Sequence, residues 1–378
     1  MATVYLNLKG DTMLSMFFKK FVLTGGPCGG KTTILQLLRD RLQDAGFRVI
    51  IVPEAATIVI PNFPDIAEII AHHPAQHREI QRAIIDVNCS LEYALTTLSS
   101  PQERTIVIFD RHNTDARVYA GDTVYLEILS EKGLHPDNER DRFDGILHLV
   151  TAADGAEAYY GNENNAARYE SAEKARERDK ELQRAWTGTP HLAIIDNSTG
   201  FQEKQERAWK WLCHWIGLPI PVEYERKFLL KRPPTPELLA SHTVASPIEQ
   251  LYLRESSGED RIRRRGSGLG ASYYRTRKTQ RADGGRDEYE EAINTTEYLD
   301  LMREQDPTTR PIRKIRHCFV HDNQYCELDQ FLGRHEGLWM LEIEGTEANH
   351  VCSPPSWLDI EREVTHDSTF SNYALSLA

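Results

Sequence analysis

Apolar runs and amphipathic segments alternate along the first half of the chain. The apolar runs, which are typical of strands, are KKFVLTGG, FRVIIVPEAA, RTIVIFDR, FDGILHLVTA and HLAIID. Between them, apolar residues recur at helical spacing in KTTILQLLRDRLQDAG, HREIQRAIIDVNCSLEYALTTL, AARYESAEKARERDKELQRAW and QEKQERAWKWLCHWIG. Strands separated by helices in this rhythm form parallel sheets covered on both faces. The first half therefore predicts a three-layer α/β fold.

The pattern changes after Gly217, Pro219 and Pro221. From there the chain is a series of short strand-like runs, among them EYERKFLL, EQLYLRE, DRIRRRG, SYYRTRKT, RDEYEEAI, RPIRKIRHCFV, QYCELDQF and LWMLEIEG. Turn residues separate most of these runs, which is typical of an antiparallel sheet or barrel. A chain of 378 residues is long enough for two cores. We therefore predict two domains, residues 1–218 and 219–378, the second with an α+β fold.

Composition narrows the class of protein but not its function. Hydrophobic residues make up 40% and charged residues 27% of the chain, as in ordinary globular proteins. A net charge of −12 argues against general binding to nucleic acid or to acidic membranes. No apolar run approaches the roughly 20 residues of a membrane span, and the start lacks a signal-peptide layout. The six scattered cysteines form no C-x-x-C pair, which favours reduced thiols, a cytoplasmic location and no structural zinc.

A phosphate-binding motif stands between the first predicted strand and the first predicted helix. GGPCGGKTT satisfies G-x-x-x-x-G-K-[ST] with Gly25, Gly30, Lys31 and Thr32, and it ends at Thr33. The glycines let backbone N–H groups surround a β-phosphate, and the helix N-terminus favours negative charge. We expect Lys31 to reach the β- and γ-phosphates and the Thr32 hydroxyl to bind Mg²⁺. These five residues form the predicted site for ATP, as substrate or ligand.

Two acidic residues follow predicted strands of the first half. Asp110 ends TIVIFD, and Glu54 follows the second strand. An acidic residue at the carboxyl end of a buried strand is suited to a further Mg²⁺ contact or to a base. Either residue could instead cap a helix or form a loop salt bridge. We assign a catalytic role to Asp110 and leave both readings of Glu54 open.

The first half resembles the P-loop kinase-like ATPases, the group that contains nicotinamide-riboside, nucleoside and nucleotide kinases. The resemblance covers roughly residues 19–216 and rests on GGPCGGKTT, the Glu54 position, IFDR, and a charged segment with Arg168, Arg176 and Arg178. It implies phosphoryl transfer to a nucleoside or nucleotide, with the arginines in a lid over the transferred phosphate. Their segment also suits a solvated helix. No N-K-x-D motif is present, which disfavours a guanine-specific switch protein.

Charged residues alternate along the strand-like runs of the second half, so that each set lies on one face of its strand. The sets are Glu223, Glu225 and Lys227; Arg261, Arg263 and Arg265; Arg275 and Arg277; Arg286, Glu288 and Glu290; Lys314 and Arg316; and Glu342 and Glu344. In a closed barrel these faces would line a polar interior; in an open sheet they would face solvent. Their repetition over successive strands favours the barrel. Glutamate pairs suit Mg²⁺ or Mn²⁺, and the cations suit phosphate oxygens.

The first of these sets, E-x-E-x-K, is the signature of the CYTH, or triphosphate tunnel metalloenzyme, superfamily. Residues 222–378 resemble that superfamily in the order of the later charged sets and in the closing segment EREVTHDSTFSNYALS. The resemblance implies an eight-stranded antiparallel tunnel that binds triphosphate together with Mg²⁺ or Mn²⁺.

The resemblance also assigns roles by position. It makes metal ligands of Glu223, Glu225, Glu342 and Glu344, and phosphate ligands of Lys227, Arg261, Arg263, Lys314 and Arg316. Arg277 and Lys278 compete for one further phosphate contact, because the register of their strand is open. Glu288 and Glu290 are expected to bind metal or position water, and they complete a catalytic set with Glu223, Glu225 and Lys227. Two interpretations of Asp329 stay open: it lines the tunnel, or it forms a salt bridge on the surface.

The chemistry expected of the second half is metal-assisted hydrolysis of a terminal phosphoanhydride in inorganic triphosphate or a nucleoside triphosphate. The superfamily also contains nucleotide cyclases, and E-x-E-x-K does not separate the two reactions. In a third reading, the tunnel senses polyphosphate and regulates the P-loop domain. The expected partners are therefore inorganic triphosphate, nucleoside triphosphates and an unidentified phosphate acceptor.

Overall fold

The apolar runs of the first half form a parallel sheet. The structure, a computed structural model, describes residues 17–97, 104–160, 171–218, 224–254, 258–280, 286–346 and 351–377. The strands of the first sheet are β1 (Phe18–Gly25), β2 (Arg48–Val52), β3 (Thr105–Asp110), β4 (Gly145–Leu149) and β5 (Leu192–Ile195). They pair in the order β2-β3-β1-β4-β5, and all the pairs are parallel. The carboxyl end of β1 is therefore central, between the ends of β3 and β4.

Helices cover both faces of this sheet, as predicted. They are α1 (Lys31–Asp44), α2 (Ala56–Val59), α3 (Ile66–His72), α4 (Pro74–Thr96), α5 (Asn113–Ala120), α6 (Asp122–Glu131), α7 (Pro136–Asp141), α8 (Ala172–Trp186) and α9 (Phe201–Ile216). Leu38 of α1 and Leu212 of α9 belong to the core on one face, and Trp186 of α8 belongs to the core on the other. Within the described ranges, no helix combines the length and apolar composition that a membrane crossing needs.

The second half forms an antiparallel sheet. Its strands are β6 (Tyr224–Leu230), β7 (Val244–Tyr252), β8 (Gly258–Arg265), β9 (Ser272–Gln280), β10 (Arg286–Ile293), β11 (Ile312–His321), β12 (Gln324–Phe331), β13 (Trp339–Gly345) and β14 (Ile360–Glu363). The helices α10 (Pro236–His242), α11 (Thr295–Leu301) and α12 (Asn372–Ser376) accompany it. The prediction of an antiparallel sheet is confirmed.

The strand number and closure predicted for this sheet are wrong. The sheet has nine strands in the order β10-β9-β8-β7-β11-β12-β13-β6-β14, rather than eight in a closed tunnel. The short β14 occupies the free side of β6, with a register irregularity between Ile360 and Arg362. Since β6 then has β13 and β14 as neighbours, it has no side left to pair with β10. In the part of the chain that the structure describes, β10 and β14 are thus the open edges.

The two sheets belong to halves of the chain that are in direct contact. The Tyr325 hydroxyl donates to the backbone oxygen of Thr189 at 2.7 Å, and the Tyr274 hydroxyl donates to that of Asp141 at 2.8 Å. Arg265, 2% exposed, pairs with the Asp141 carboxylate at 3.3 Å. On the side of the second sheet, these contacts are made by β8, β9 and β12. The chain passes between the halves after α9, and the boundary at 218/219 stays a prediction.

Candidate functional site

The phosphate-binding motif lies where β1 ends and α1 begins. Gly25 has φ +139° and Gly30 has φ +88°, conformations that residues with a side chain rarely adopt. A Cβ on Gly30 would also lie 2.5 Å from the ring of Phe201, the first residue of α9. The backbone of the loop can therefore curl as a phosphate cradle only with glycine at these two positions. Lys31 and the exposed residues Thr32 and Thr33 form the first turn of α1.

A half-buried lysine, Lys31, and a half-buried carboxylate, Asp110, interact electrostatically beside this loop. Burial, together with the charge of Arg111, lowers the pKa of Lys31 to about 8 despite the carboxylates nearby. Burial also raises the pKa of Asp110, although the charge of Lys31 acts in the opposite direction. Oδ1 of Asp110 is buried and has no hydrogen-bond partner among the described residues. An orphaned carboxylate oxygen next to a phosphate cradle has the chemistry of a Mg²⁺ ligand, so the residues present fit a nucleotide with its metal.

The arginine after Asp110 fastens the loop instead of meeting a phosphate. Arg111 has φ 64° and pairs with Glu54 at 3.0 Å and with Asp115 at 3.2 Å. Its guanidinium also donates to the backbone oxygen of Gly25 at 2.8 Å. The salt-bridge reading of Glu54 therefore agrees with the geometry.

Two further acidic residues support this site, and neither was predicted from the sequence. Asp115 accepts hydrogen bonds from the Thr24 hydroxyl and, at 3.0 Å, from the His112 backbone N–H. Asp179 of α8 accepts one from the Gly26 backbone N–H at 2.7 Å. The position of Asp115 in the first turn of α5 signals a helix cap. No local pattern signals Asp179, because its partner lies 153 residues away along the chain.

A cavity of about 430 Å³ adjoins the phosphate-binding loop. Its wall is apolar at Ile60, Ile66 and Ile84, and it is polar at Gln81 and Arg178. Of the predicted lid arginines, Arg178 lines this cavity, while Arg176 instead donates to the backbone oxygen of Ala153 at 2.6 Å. Arg168 lies outside the described residues. The cavity is large enough for a small organic molecule next to the expected terminal phosphate.

The alternating charges of the second half meet around a cavity of about 200 Å³, which we call the charged cavity. Its cations are Lys227, Arg261, Arg263, Arg265, Lys314 and Arg316. Its acids are Glu225, Glu290, Glu327, Glu342 and Glu344. The structure thus brings together predicted residues from β6, β8, β11 and β13, and Glu290 from β10. Arg265 and Glu327 were not assigned to the site; Arg265 shares the alternation of Arg261 and Arg263, which was the available signal.

The cations and acids of the charged cavity neutralise one another. Lys227 Nζ lies 2.7 Å from Glu225 and 3.0 Å from Glu342, and Arg316 lies 2.7 Å from Glu342. Burial disfavours the charge on Lys227, but Glu225 and Glu342 outweigh this effect and raise its pKa. Burial also disfavours the charge on Glu342, but Lys227, Lys314 and Arg316 hold the pKa of Glu342 well below its usual range. These groups therefore stay ionised near neutral pH.

Asp329 lies behind the cavity lining and acts as a buried counter-ion. It is 0% exposed, accepts from Arg316 Nη2 at 2.7 Å and also pairs with Lys314. Both alternatives given for Asp329 are therefore wrong, because no part of this carboxylate reaches solvent and Asp329 is not among the residues that line the charged cavity. Burial lowers the pKa of Lys314 in spite of Asp329.

Arg263 is held in place by Glu290 and keeps one N–H donor, Nε, without a partner among the described residues. Its Nη2 lies 2.9 Å from one oxygen of Glu290 and 3.0 Å from the other, and the Thr276 hydroxyl donates to Glu290 at 2.8 Å. Nε of Arg263 is buried without a hydrogen-bond partner among the described residues. Because an unsatisfied buried guanidinium N–H is unfavourable, it suits an anion in this cavity. Burial acts to raise the pKa of Glu290. The charge of Arg263 acts in the opposite direction and helps to hold this pKa well below its usual range.

The carboxylates on β6 and β13 fit a metal ion by their chemistry. Glu225 and Glu344 are direct cross-strand partners, an arrangement that is unfavourable unless a cation compensates it. Their oxygens are the ligands that Mg²⁺ and Mn²⁺ prefer. Within the described ranges, however, no group of three or more acidic, histidine or cysteine residues is arranged to hold a metal. Glu223, the remaining carboxylate of E-x-E-x-K, lies outside those ranges.

The structure does not bring Arg277 to the charged cavity, which corrects that assignment. Arg277 pairs with Glu291, and its side chain is 40% exposed. In the register of β8 and β9, Arg261 lies opposite Thr276 and Arg263 opposite Tyr274. Since neighbouring residues of a strand point to opposite faces, Arg277 takes the face away from the cavity. The side chains of Lys278 and Glu288 lie outside the described residues, so their assignments stay predictions.

Comparison with known proteins finds a family model and several relatives, each of which matches part of the chain. Residues 20–204 match the family model described as the AAA domain, so this region contains an AAA-type P-loop domain. An inorganic triphosphatase of Acetivibrio thermocellus is 43% identical over 61 residues, which are 16% of this chain and 38% of that protein. The chain thus spans well under half the length of this curated relative.

Two solved structures are also similar to part of the chain. Crystal structures of the protein NE1496, described in one case as a hypothetical protein and in the other as an inorganic triphosphatase, are 33% and 31% identical to it. Each match covers 42% of this chain, with 99% and 95% of the other chain, and each has a TM-score of 0.31. Because that score is low, neither superposition supports a conclusion about this chain.

Proposed function

We propose that the second half hydrolyses the terminal phosphoanhydride of inorganic triphosphate or of a nucleoside triphosphate. The observation that carries the proposal is the charged cavity, in which cations from β6, β8 and β11 converge on a space of about 200 Å³. Such a volume suits a chain of a few phosphate groups, and the cations supply both forked and point-charge contacts. The local identity to an inorganic triphosphatase supports the same reaction.

In the proposed reaction, Arg261, Arg263, Lys314 and Arg316 bind the phosphate oxygens and spread their negative charge. Mg²⁺ or Mn²⁺, held by Glu225 and Glu344 together with Glu223, would supply further charge neutralisation at the terminal phosphoryl group. A water oxygen forms a bond to the terminal phosphorus, the bridging P–O bond breaks, and the water proton passes to solvent. The products from inorganic triphosphate are phosphate and pyrophosphate. Since phosphoryl transfer depends mostly on positioning and charge stabilisation, Glu290, with its lowered pKa, serves to orient Arg263 and not as a base.

The test is phosphate release by the full chain with Mg²⁺ or Mn²⁺, offered inorganic triphosphate and ATP in separate assays. We expect Glu225→Gln to abolish triphosphate cleavage and Lys31→Ala to preserve it. Activity confined to ATP and lost only with Lys31→Ala would overturn the proposal and favour a sensing role for the charged cavity. Cyclic AMP and pyrophosphate from ATP would instead assign the cavity a cyclase reaction.

We further propose that the first half binds ATP and transfers a phosphoryl group to a small acceptor. The cavity of about 430 Å³ supports this second function, because it adjoins the loop that carries Lys31. Its mixture of apolar walls and amide groups suits a nucleoside or nucleotide. The test is to incubate the chain with ATP and a panel of nucleosides and nucleotides, and to follow phosphorylated product by mass spectrometry. Product that Lys31→Ala fails to form supports the proposal; ATP binding without any acceptor-dependent product contradicts it.

A further inference from the structure

Two histidines of the first half reach carboxylates of the charged cavity. His191 directly precedes β5, and its Nε2 lies 3.4 Å from Oε1 of Glu290. His214 lies in the last turn of α9, and its Nε2 lies 2.7 Å from Oε1 of Glu344. Both acids belong to the second sheet, so each hydrogen bond crosses from one half of the chain to the other.

His191 completes the group of donors that holds Glu290. The same carboxylate accepts hydrogen bonds from Arg263 and from the Thr276 hydroxyl, and Lys19 Nζ donates to the backbone oxygen of Glu290 at 2.9 Å. Glu290 is thus fixed by donors from both halves. Because Glu290 orients the guanidinium of Arg263, a change at His191 is transmitted to a phosphate-binding group.

His214 acts on the opposite side of the cavity, at Glu344. That carboxylate is 36% exposed and is the cross-strand partner of Glu225, so it faces a like charge. A hydrogen bond from an imidazole N–H fixes one carboxylate oxygen and leaves the other oxygen available. Groups of this kind, which orient metal ligands without touching the metal, commonly change metal affinity by 10- to 100-fold when removed.

The position of these two histidine contacts indicates that they do more than join the two halves of the chain. A third cavity, of about 720 Å³, lies between the halves, and His191, Glu290 and Glu344 line both this space and the charged cavity. Other contacts already hold the halves together without touching these acids, such as those of Tyr274 and Tyr325 to backbone oxygens. His191 therefore lies at the wall of the charged cavity, His214 contacts that wall through Glu344, and neither is needed to join the halves.

We propose that His191 and His214 are positioning residues of the charged cavity, so that both halves of the chain build the triphosphate site. This inference rests on the proposed hydrolase function. It assigns His214 to the metal-binding acids and His191 to the orientation of Arg263. The first half then contributes directly to the chemistry of the second, beyond any ATP binding of its own.

The first experiment measures Mn²⁺ binding to the full chain by calorimetry without substrate. We expect His214→Ala to weaken binding about 10-fold or more and His214→Gln, which keeps an N–H donor, to restore most of the loss. Tyr274→Phe is the control, because it removes a hydrogen bond between the halves and leaves the acids untouched; its Mn²⁺ affinity should equal that of wild type.

The second experiment measures the kinetics of triphosphate cleavage at saturating Mn²⁺. His191→Ala should raise KM more than it lowers kcat, because it loosens Arg263 in the bound state, and His191→Gln should recover KM. Equal Mn²⁺ affinities for wild type and His214→Ala, with an unchanged KM for His191→Ala, would overturn the inference while the hydrolase proposal stands. A wild-type chain that neither binds Mn²⁺ nor cleaves triphosphate would overturn the hydrolase proposal and this inference with it.

Discussion

The phosphate-binding loop and the charged cavity are both suited to phosphate, but they satisfy their charges in opposite ways. At the loop, Oδ1 of Asp110 has no hydrogen-bond partner among the described residues, and burial lowers the pKa of Lys31. In the cavity, Lys227 and Arg316 are already paired with Glu342. A ligand would therefore supply a partner that Asp110 lacks, whereas at Lys227 and Arg316 it would have to replace internal ion pairs.

This difference separates the energetic roles of the two sites. A network of buried ion pairs is destabilised strongly when one member is removed, because the remaining charge stays buried and unpaired. Substitutions in or behind the cavity should consequently affect both folding and activity. Substitutions in the loop should affect ligand binding much more than folding, because fewer of its charged groups are paired with one another.

The largest effect on stability is expected at Asp329. Asp329→Asn preserves shape but leaves Lys314 and Arg316, both buried, with one fewer carboxylate. The free energy of unfolding should fall by about 3–5 kcal/mol, measured by urea unfolding near pH 7. Asp300→Asn is the control, since Asp300 is 62% exposed and pairs with an exposed arginine; it should change the value by less than about 1 kcal/mol. Similar losses for the two variants would contradict the role of Asp329 as a buried counter-ion.

A large effect on binding is expected at Gly30. Gly30→Ala forces a Cβ to within 2.5 Å of the Phe201 ring at φ +88° and displaces the phosphate cradle. ATP affinity, measured by calorimetry, should fall on the order of 100-fold. Gly46→Ala is matched in conformation, with φ +83°, but a Cβ there meets nothing within 4 Å. Gly46→Ala should bind ATP as wild type does; an equal loss in both variants would show that backbone strain alone is responsible.

A moderate, pH-dependent effect is expected at Lys31. Its pKa of about 8 lies below the ordinary 10.5, so the lysine loses its charge as the pH rises past 8. Affinity for ATP should weaken by up to about tenfold per pH unit above 8, while Lys31→Met should bind weakly at every pH. The unfolded chain keeps this proton up to pH 10.5, so the contribution of Lys31 to unfolding free energy rises between pH 8 and 10.5. A flat ATP affinity between pH 7.5 and 9 in wild type would contradict the prediction.

The two sites also differ in how far the sequence predicts them. The loop is contiguous, so its glycines, lysine and threonines are recognised together. On β6, β8, β11 and β13, the charged residues that line the cavity belong to the alternating sets seen in the sequence. What depends on distant contacts could not be predicted. The pairing of β14 with β6 leaves the sheet open, and the hydrogen bonds of His191 and His214 join residues 99 and 130 positions apart.

Arg277 shows where alternation alone is insufficient. The residues of YYRTRK alternate in either register, and only the cross-strand partners decide which of Arg277 and Lys278 faces the cavity. The pairing of β8 with β9 puts Thr276 opposite Arg261, so Arg277 points away. Which residues of a strand share a face can be read from the local sequence. Which of the two faces points to the cavity is set by the pairing with neighbouring strands.

The smallest effect is expected from this same residue. Arg277→Gln removes a pair with Glu291 in which the two side chains are 40% and 29% exposed. Such a pair contributes less than about 1 kcal/mol, and kcat/KM for triphosphate should stay within roughly twofold of wild type because no cavity group is lost. Arg263→Gln, on the inner face, should lower kcat/KM about 100-fold or more. Equal losses of activity in the two variants would contradict the prediction. They would mean that the residues on the cavity side of β8 and β9 matter no more than those on the other side, and that the register that turns Arg277 away from the cavity needs revision.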